Sequence, residues 1–544
     1  MSKYNIKQPY SGPVSPLTST VVPSVKTYGG GKGAVSDTLT ELFRLGVNLF
    51  AGGETTYYES GKKRDSRFTK LVEQAAITNP IWTVNFLVWL RNEANIRTAA
   101  VIGTAHFVHA RLNNKKAKEE DELLSSLGHK GMNRYVISEV LSRGDEPGEF
   151  VAYWIATFGK LPKPVKRGIA DSVLKLYNEY STLKYDTVSR AIRFSNVLNL
   201  THVKPDKPWK ADLFKFIIDR RYDGVKDIEE YNLPMVKAEK ALRADAAKDI
   251  SVLLDAERVK AAGLTWEDVL SLGGSKLDKR KLWEAVIPNM GIMALIRNLR
   301  NFEEAGISKE SRDYVIAKMT NAEVIAKSRQ FPFRFLSAFQ NTNSLQYHAA
   351  LETGLEYATK NIPIFDESTL VLIDTSGSMS TAVSNNSKMT RAGIAALFGA
   401  AVAAKNPGKV DLVMFADYSK QIVVKPGTSV LNIVREVEKR NGEVGHGTQT
   451  AAALAKHFDP KKHKRVIIFS DGQSFGGYWG NVATFNFGKA FVYAFDLAGY
   501  KVTDLPVGKD RKYQLGGLSD STFKLIPLLE NVGEGVWPWD VQSG

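Results

Sequence analysis

The feature that most constrains this chain is a change of hydrophobic rhythm near Phe365. From about Asp37 to Lys360 apolar residues recur at helical spacing, in short runs separated by Gly- or Pro-containing turns. After Phe365 the rhythm becomes an alternation of strands and helices. The β-branched run Thr369–Ile373 is followed by the Ala-rich helix Thr390–Lys405. Strands Lys409–Phe415, Gln421–Val424, Arg465–Ser470 and Lys489–Phe495 then alternate with helices Val430–Arg440, Thr448–His457 and Ser521–Leu529. One core cannot satisfy both patterns, and 544 residues exceed an ordinary single domain. The expectation is therefore a multidomain α and α/β protein. Residues 1–36, rich in Pro, Gly, Ser and Thr, read as an extended arm. Residues 37–365 form an array of stacked helix pairs, and residues 366–544 a doubly wound parallel sheet.

Within the helical region the clearest segments are Pro80–Asn92, Ile96–Leu112, Val165–Tyr180, Thr187–Leu200, Pro234–Asp245 and Gly291–Phe302. No apolar run is long enough to span a membrane, and the polar N-terminus lacks a signal-peptide core. The chain has no cysteine, which excludes disulfides, thiolate nucleophiles and cysteine-ligated zinc. A reducing, cytoplasmic setting and no membrane partner are expected. The net charge of +15 lies mainly in residues 1–365 and favours polyanionic partners.

The most specific local signal is Asp374-Thr375-Ser376-Gly377-Ser378, directly after a buried strand. In a doubly wound sheet such loops line the ligand crevice at the C-terminal strand ends. Asp374, Ser376 and Ser378 aim oxygens at one point. Asp471, leaving another strand, and Thr448, entering a helix, complete a set of five. Oxygen donors alone suit a hard octahedral cation with an open position, best met by magnesium.

Residues 366–544 resemble a von Willebrand factor A domain with a metal-ion-dependent adhesion site, whose five ligand positions match Asp374, Ser376, Ser378, Thr448 and Asp471. Leu49-Phe50-Ala51-Gly52-Gly53-Glu54-Thr55-Thr56-Tyr57-Tyr58 resembles the opening of the TROVE module. Val197-Leu198-Asn199-Leu200-Thr201-His202-Val203-Lys204-Pro205 and Met293-Ala294-Leu295-Ile296-Arg297-Asn298-Leu299 are similar to its later elements. Asn199 stands where that family usually has Arg. TROVE followed by a von Willebrand A domain is the architecture of the Ro autoantigen family, and a bacterial or phage-type member is expected.

The resemblance implies a ring of HEAT-like helical repeats that admits single-stranded 3′ ends of defective structured non-coding RNAs. It also implies an outer basic surface for small Y-like RNA, and an exoribonuclease partner in RNA quality control. The basic residues that fit such a surface are Lys163, Lys166 and Arg167, then Arg190 and Arg193 on the predicted helix Thr187–Leu200, then His202, Lys204 and Lys207. Ser189, Arg193 and Asn196 share one face of that helix. The alternative is a magnesium-dependent protein-interaction adaptor in which a partner's carboxylate completes the metal shell.

Other motifs carry less. Gly29-Gly30-Gly31-Lys32-Gly33 lacks the Ser/Thr of a phosphate loop and reads as a connector. His106 and His109 sit three apart on a helix with no adjacent carboxylate in sequence. Lys461-Lys462-His463-Lys464-Arg465 reads as a solvated loop, Trp82, Trp89 and Trp154 as core, and Arg297 as serving the packing. No nucleophile–base pair or histidine–carboxylate set appears, so no enzyme is expected.

Overall fold

The computed structural model describes residues 19–48, 58–383, 388–476, 480–505, 511–517, 519–531 and 537–540. The TROVE-like opening segment lies outside these residues, apart from Tyr58. The chain forms two compact units. One joins the described residues up to Leu71 with those from Thr359 onward, and the other is Val72–Ala358. The boundaries therefore fall after Leu71 and Ala358, rather than at Asp37 and Phe365.

The first unit is built on a six-stranded sheet. Its strands are β3 (Thr369–Asp374), β4 (Val410–Phe415), β5 (Ser419–Ile422), β6 (Arg465–Ser470), β7 (Phe491–Asp496) and β9 (Lys512–Gly516), in the order β5-β4-β3-β6-β7-β9. All neighbours are parallel except β5, which closes one edge antiparallel. β3, β6 and most of β7 are buried, as expected for strands covered on both faces. The helix Arg391–Lys405 covers β3 and β4 with Ala and Gly, whose small side chains permit close helix–sheet packing. The chain leaves β3 toward β4 on one side and reaches β6 on the other, so the crevice opens at the C-terminal ends of β3 and β6.

Residues 19–36, the described part of the expected arm, are paired; residues 1–18 lie outside the described residues. β1 (Ser19–Lys26) pairs antiparallel with β2 (Lys32–Ser36), and β2 pairs with β8 (Val502–Thr503). The helix Thr38–Asn48 follows and belongs to the same unit. Arg44 is fully buried there, its guanidinium donating to the Tyr500 carbonyl at 2.7 Å and lying 3.8 Å from Asp496. Asn48 donates to the Asp496 carbonyl at 3.0 Å. The Pro/Gly/Ser composition suggested loop because the strand that anchors this hairpin to the sheet unit, β8, lies hundreds of residues away.

The second unit is a succession of short helices. Many begin with Pro in the first turn, as in Pro80–Asn92, Pro208–Tyr222, Pro234–Lys248 and Pro332–Phe339. There the missing N–H has no intrahelical partner to lose. Trp82, Trp89 and Trp154 are core residues. Two predicted helices differ. Gly291–Phe302 is broken at Asn298 into Ile292–Arg297 and Leu299–Ala305. Thr187–Leu200 shortens to Phe194–Thr201, because the buried Asp186 accepts the Phe194 amide at 2.9 Å and starts the helix there.

Candidate functional site

The five oxygen donors expected to converge are all buried at the C-terminal rim of the sheet. Asp374 ends β3. One of its oxygens accepts the Ser376 amide at 2.9 Å, and the other accepts the Ser470 hydroxyl at 2.6 Å from the end of β6. The Ser376 and Ser378 hydroxyls lie 3.3 Å apart. The Gly377 amide donates to the His446 carbonyl at 2.8 Å, tying this loop to the one carrying Thr448. The Phe475 amide donates to the Thr448 carbonyl at 2.9 Å, tying that loop to the segment after Asp471. Three loops distant in sequence are thus cross-linked by their backbones.

Asp417, which sequence inspection passed over, holds the middle loop. Its carboxylate accepts the His446 amide at 2.8 Å, and bonds from the Gly447 and His446 amides hold it below the usual carboxylate range. A Cβ on Gly447 would lie 2.1 Å from Asp417 Oδ1, and Gly445 has φ +84°, so glycine is required at both positions. Only the local Gly-His-Gly-Thr spacing hinted at this arrangement.

Electrostatically the rim crowds buried carboxyls together. Burial, then the neighbouring Asp374 charge, pushes the Asp471 carboxyl up to about 8, while the Ser378 hydroxyl and the Gln473 amide act the other way. Burial raises Asp374 as well. Asp471 Oδ2 is buried and lacks a hydrogen-bond partner. Asp504, also buried nearby in charge space, is pushed up to about 6 by burial first and then by Asp374. Two close carboxyls in a low-dielectric setting resist joint ionisation unless a cation neutralises them. Among the described residues no three His, Asp or Glu side chains gather as a metal cluster. Any ion held here must therefore take hydroxyl oxygens beside its two carboxylates.

The basic residues divide into separate groups. Lys163, Lys166 and Arg167 occupy the first turns of the helix Lys163–Leu176, and Lys163 and Arg167 are exposed. These two line a cleft of about 900 Å³ together with Lys118, Lys130 and Arg134. Its acidic members are Asp121 and Glu122. His202, Lys204 and Lys207 are exposed between the helices Phe194–Thr201 and Pro208–Tyr222. Lys210 turns inward to the Leu174 carbonyl at 2.5 Å.

Arg193 is a correction. It is buried and paired with Asp186 at 3.1 Å, and Arg220 binds the same carboxylate. Ser189 and Arg193 do not share a helix face, because the helix begins after them. Arg190 is exposed but faces Glu149 at 3.4 Å and Asp145 at 3.7 Å. The guanidiniums of Arg190 and Arg193 are thus engaged by carboxylates from outside the predicted helix Thr187–Leu200. Arg297 is a second correction: it is exposed and lines a cavity. His106 does meet a carboxylate, Glu73 at 2.7 Å, and the Tyr153 hydroxyl at 2.8 Å, while His109 stacks on Phe158. In the Lys461–Arg465 run, Arg465 turns inward to Glu530 and His463 to Asp411, leaving Lys461 and Lys464 exposed.

Comparison with known proteins agrees with this architecture. Residues 256–390 match the TROVE domain, and residues 369–473 match the von Willebrand factor type A domain. The chain is similar to the Telomerase protein component 1 of Mus musculus, with 39% identity over 84 residues, covering 15% of this chain and 3% of that protein. It is similar to the RNA-binding protein RO60 of Caenorhabditis elegans, with 27% identity over 177 residues, covering 30% of this chain and 26% of that protein. The chain thus spans only a small part of these relatives. The fold matches the crystal structure of the Deinococcus radiodurans RO (RSR) protein, with TM-score 0.59 and 16% identity. That match covers 89% of this chain and 99% of the other. The chain thus carries, in order, a match to the TROVE domain and a match to the von Willebrand factor type A domain, on a fold similar to that of a solved RO protein.

Proposed function

We propose that this chain is an RNA-binding protein that captures structured non-coding RNA bearing a single-stranded 3′ end, for RNA quality control or processing. The observation that carries this reading is the cleft beside Lys163 and Arg167. Neither residue forms an ion pair among the described residues, whereas the neighbouring Lys130 and Arg134 share Asp171 at 3.2 and 2.7 Å. Lys204 and Lys207 supply a second exposed group, so a long polyanion could touch both. Phosphate contacts of this kind release counterions and make binding fall steeply with salt. One relative, the RNA-binding protein RO60 of Caenorhabditis elegans, carries this class of ligand in its printed name. A Y-like RNA and an exoribonuclease are further partners under this reading, and none of its steps calls for catalysis by this chain.

The test is a titration with one structured RNA, with and without a short 3′ tail, at two salt concentrations. Lys163→Ala/Arg167→Ala and Lys204→Ala/Lys207→Ala should each weaken binding of the tailed RNA. Absence of binding by either RNA at low salt overturns the proposal.

A second reading is favoured by the orphaned Asp471 oxygen. Asp374, Ser376, Ser378, Thr448 and Asp471 would hold magnesium, whose open position would accept a carboxylate from a protein partner. The ion would supply a point of attachment. The chain's own residues neutralise it with two carboxylates and orient it through the backbone ties between the loops. Magnesium-dependent capture of an acidic partner, lost in Asp374→Ala while RNA binding persists, is its signature.

A further inference from the structure

A cavity of about 270 Å³ in the helical unit gathers three arginines from three helices: Arg297 from Ile292–Arg297, Arg300 from Leu299–Ala305 and Arg334 from Pro332–Phe339. Asn301, Ser337 and Asn341 add neutral donors at its wall. None of the described residues lining it is acidic. Arg300 shares its charge with Glu304 at 3.3 Å, one turn along the same helix. Arg297 and Arg334 form no ion pair among the described residues, and Arg334 only lies over the ring of its neighbour Phe333. Desolvation, then the Arg297 charge, pulls the Arg334 guanidinium below its ordinary value, and no carboxylate acts the other way. Like charges held together in a concave site, without a counter-charge, are costly unless an anion arrives.

We propose that this cavity binds a phosphomonoester. Two uncompensated guanidiniums match the −1.5 to −2 charge of a phosphomonoester near neutral pH, whereas an internal phosphodiester brings a single charge and fewer free oxygens. Arginine forks present paired donors to such oxygens, and the wall amides and hydroxyl can fill the remainder. The cavity adjoins a wider cleft of about 920 Å³, since Met293, Arg297 and Gln330 line both. That cleft offers Trp266 and Tyr180 as stacking surfaces and Lys318 as a cation, while Lys327 pairs with Glu323 and Glu267 is its acidic member. Such a mixture suits a short single-stranded segment leading away from a phosphate. The terminal phosphate of a single-stranded RNA is the source that uses both spaces, and that part rests on the RNA-binding reading. A free nucleoside monophosphate would use the small cavity alone.

The experiment measures the affinity of the full chain for three probes: a short single-stranded RNA with a terminal 5′- or 3′-phosphate, the same RNA with hydroxyl ends, and a nucleoside monophosphate. A preference of about tenfold for the phosphorylated RNA is expected. Arg334→Gln should abolish it and Arg334→Lys restore it only in part. Arg334 lies on an exposed helix face, so thermal melting should report both variants as folded. Binding of the monophosphate, sensitive to Arg334→Gln, without binding of any RNA supports the cavity while sinking the RNA reading. Equal affinity for phosphorylated and hydroxyl RNA, unchanged in Arg334→Gln, overturns the cavity while leaving RNA binding in place. Failure of all three probes overturns the proposal.

Discussion

Asp471 and Arg193 show how single buried charges set opposite expectations. The Asp471 carboxyl stands well above its ordinary 3.8, at about 8, so the folded chain binds more protons there than the unfolded chain. Stability without metal should therefore fall as pH rises from about 4 to about 8. Magnesium should reverse that loss at pH 8, and Asp471→Asn should remove both the pH-linked loss and the response to magnesium. Melting temperatures at pH 5 and pH 8, with magnesium and with a chelator, check this; a chelator-insensitive Asp374/Asp471 pair would contradict it. Arg193→Ala breaks a buried pair with Asp186 and leaves that carboxylate to Arg220. A loss on the order of 3 kcal/mol in urea unfolding is expected. RNA affinity per folded molecule should change little, the opposite of what an exposed phosphate contact predicts.

At the scale of elements, the short sheet β1-β2-β8 joins the N-terminal segment to the α/β unit. Gly33 makes this contact, since a Cβ there would lie 2.3 Å from Val502 Cγ1. Gly33→Val should separate β2 from β8, costing about 1–3 kcal/mol by overpacking. Faster amide exchange at Val502 and Thr503, with exchange in β3 unchanged, would register it. The loops at the rim depend on a similar close approach, that of Gly447 to Asp417. Gly447→Ala should push the Asp417 carboxylate away and weaken magnesium binding at least tenfold without unfolding the sheet. Calorimetric titration with magnesium reads that directly. These two elements were legible to different degrees. The run Asp374 to Ser378 announces itself by following a β-branched strand, and the five donors were named from the sequence. The ties that hold the loops, Ser470 to Asp374 and Asp417 to His446, were not, because each joins segments with no shared local pattern.

For the whole molecule, the excess positive charge acts through a few exposed clusters rather than as a uniform field. Replacing Lys163 and Arg167 by Ala should lower the slope of log affinity against log salt by about 1.5–2, if each neutralises one RNA phosphate. Removing Arg190 should lower it less, since Glu149 and Asp145 already answer its charge. RNA filter binding over a range of salt concentrations separates the two cases.

The sequence alone determined the two structural rhythms, the strand that carries Asp374, the starts of the helices at Pro80 and Pro234 and the oxygen donors at the rim. All of these depend on spacing over a few residues, which backbone geometry converts directly into a face or a turn. Tertiary structure decided the rest. It paired the first strands with β8, buried Arg193 against Asp186, and brought Arg297, Arg300 and Arg334 around one cavity. Whether a cation is spent on a carboxylate or left facing solvent depends on which distant segment packs beside it. A charge carries no mark of its partner in the linear chain, because that partner is chosen by the packing of the apolar faces between them.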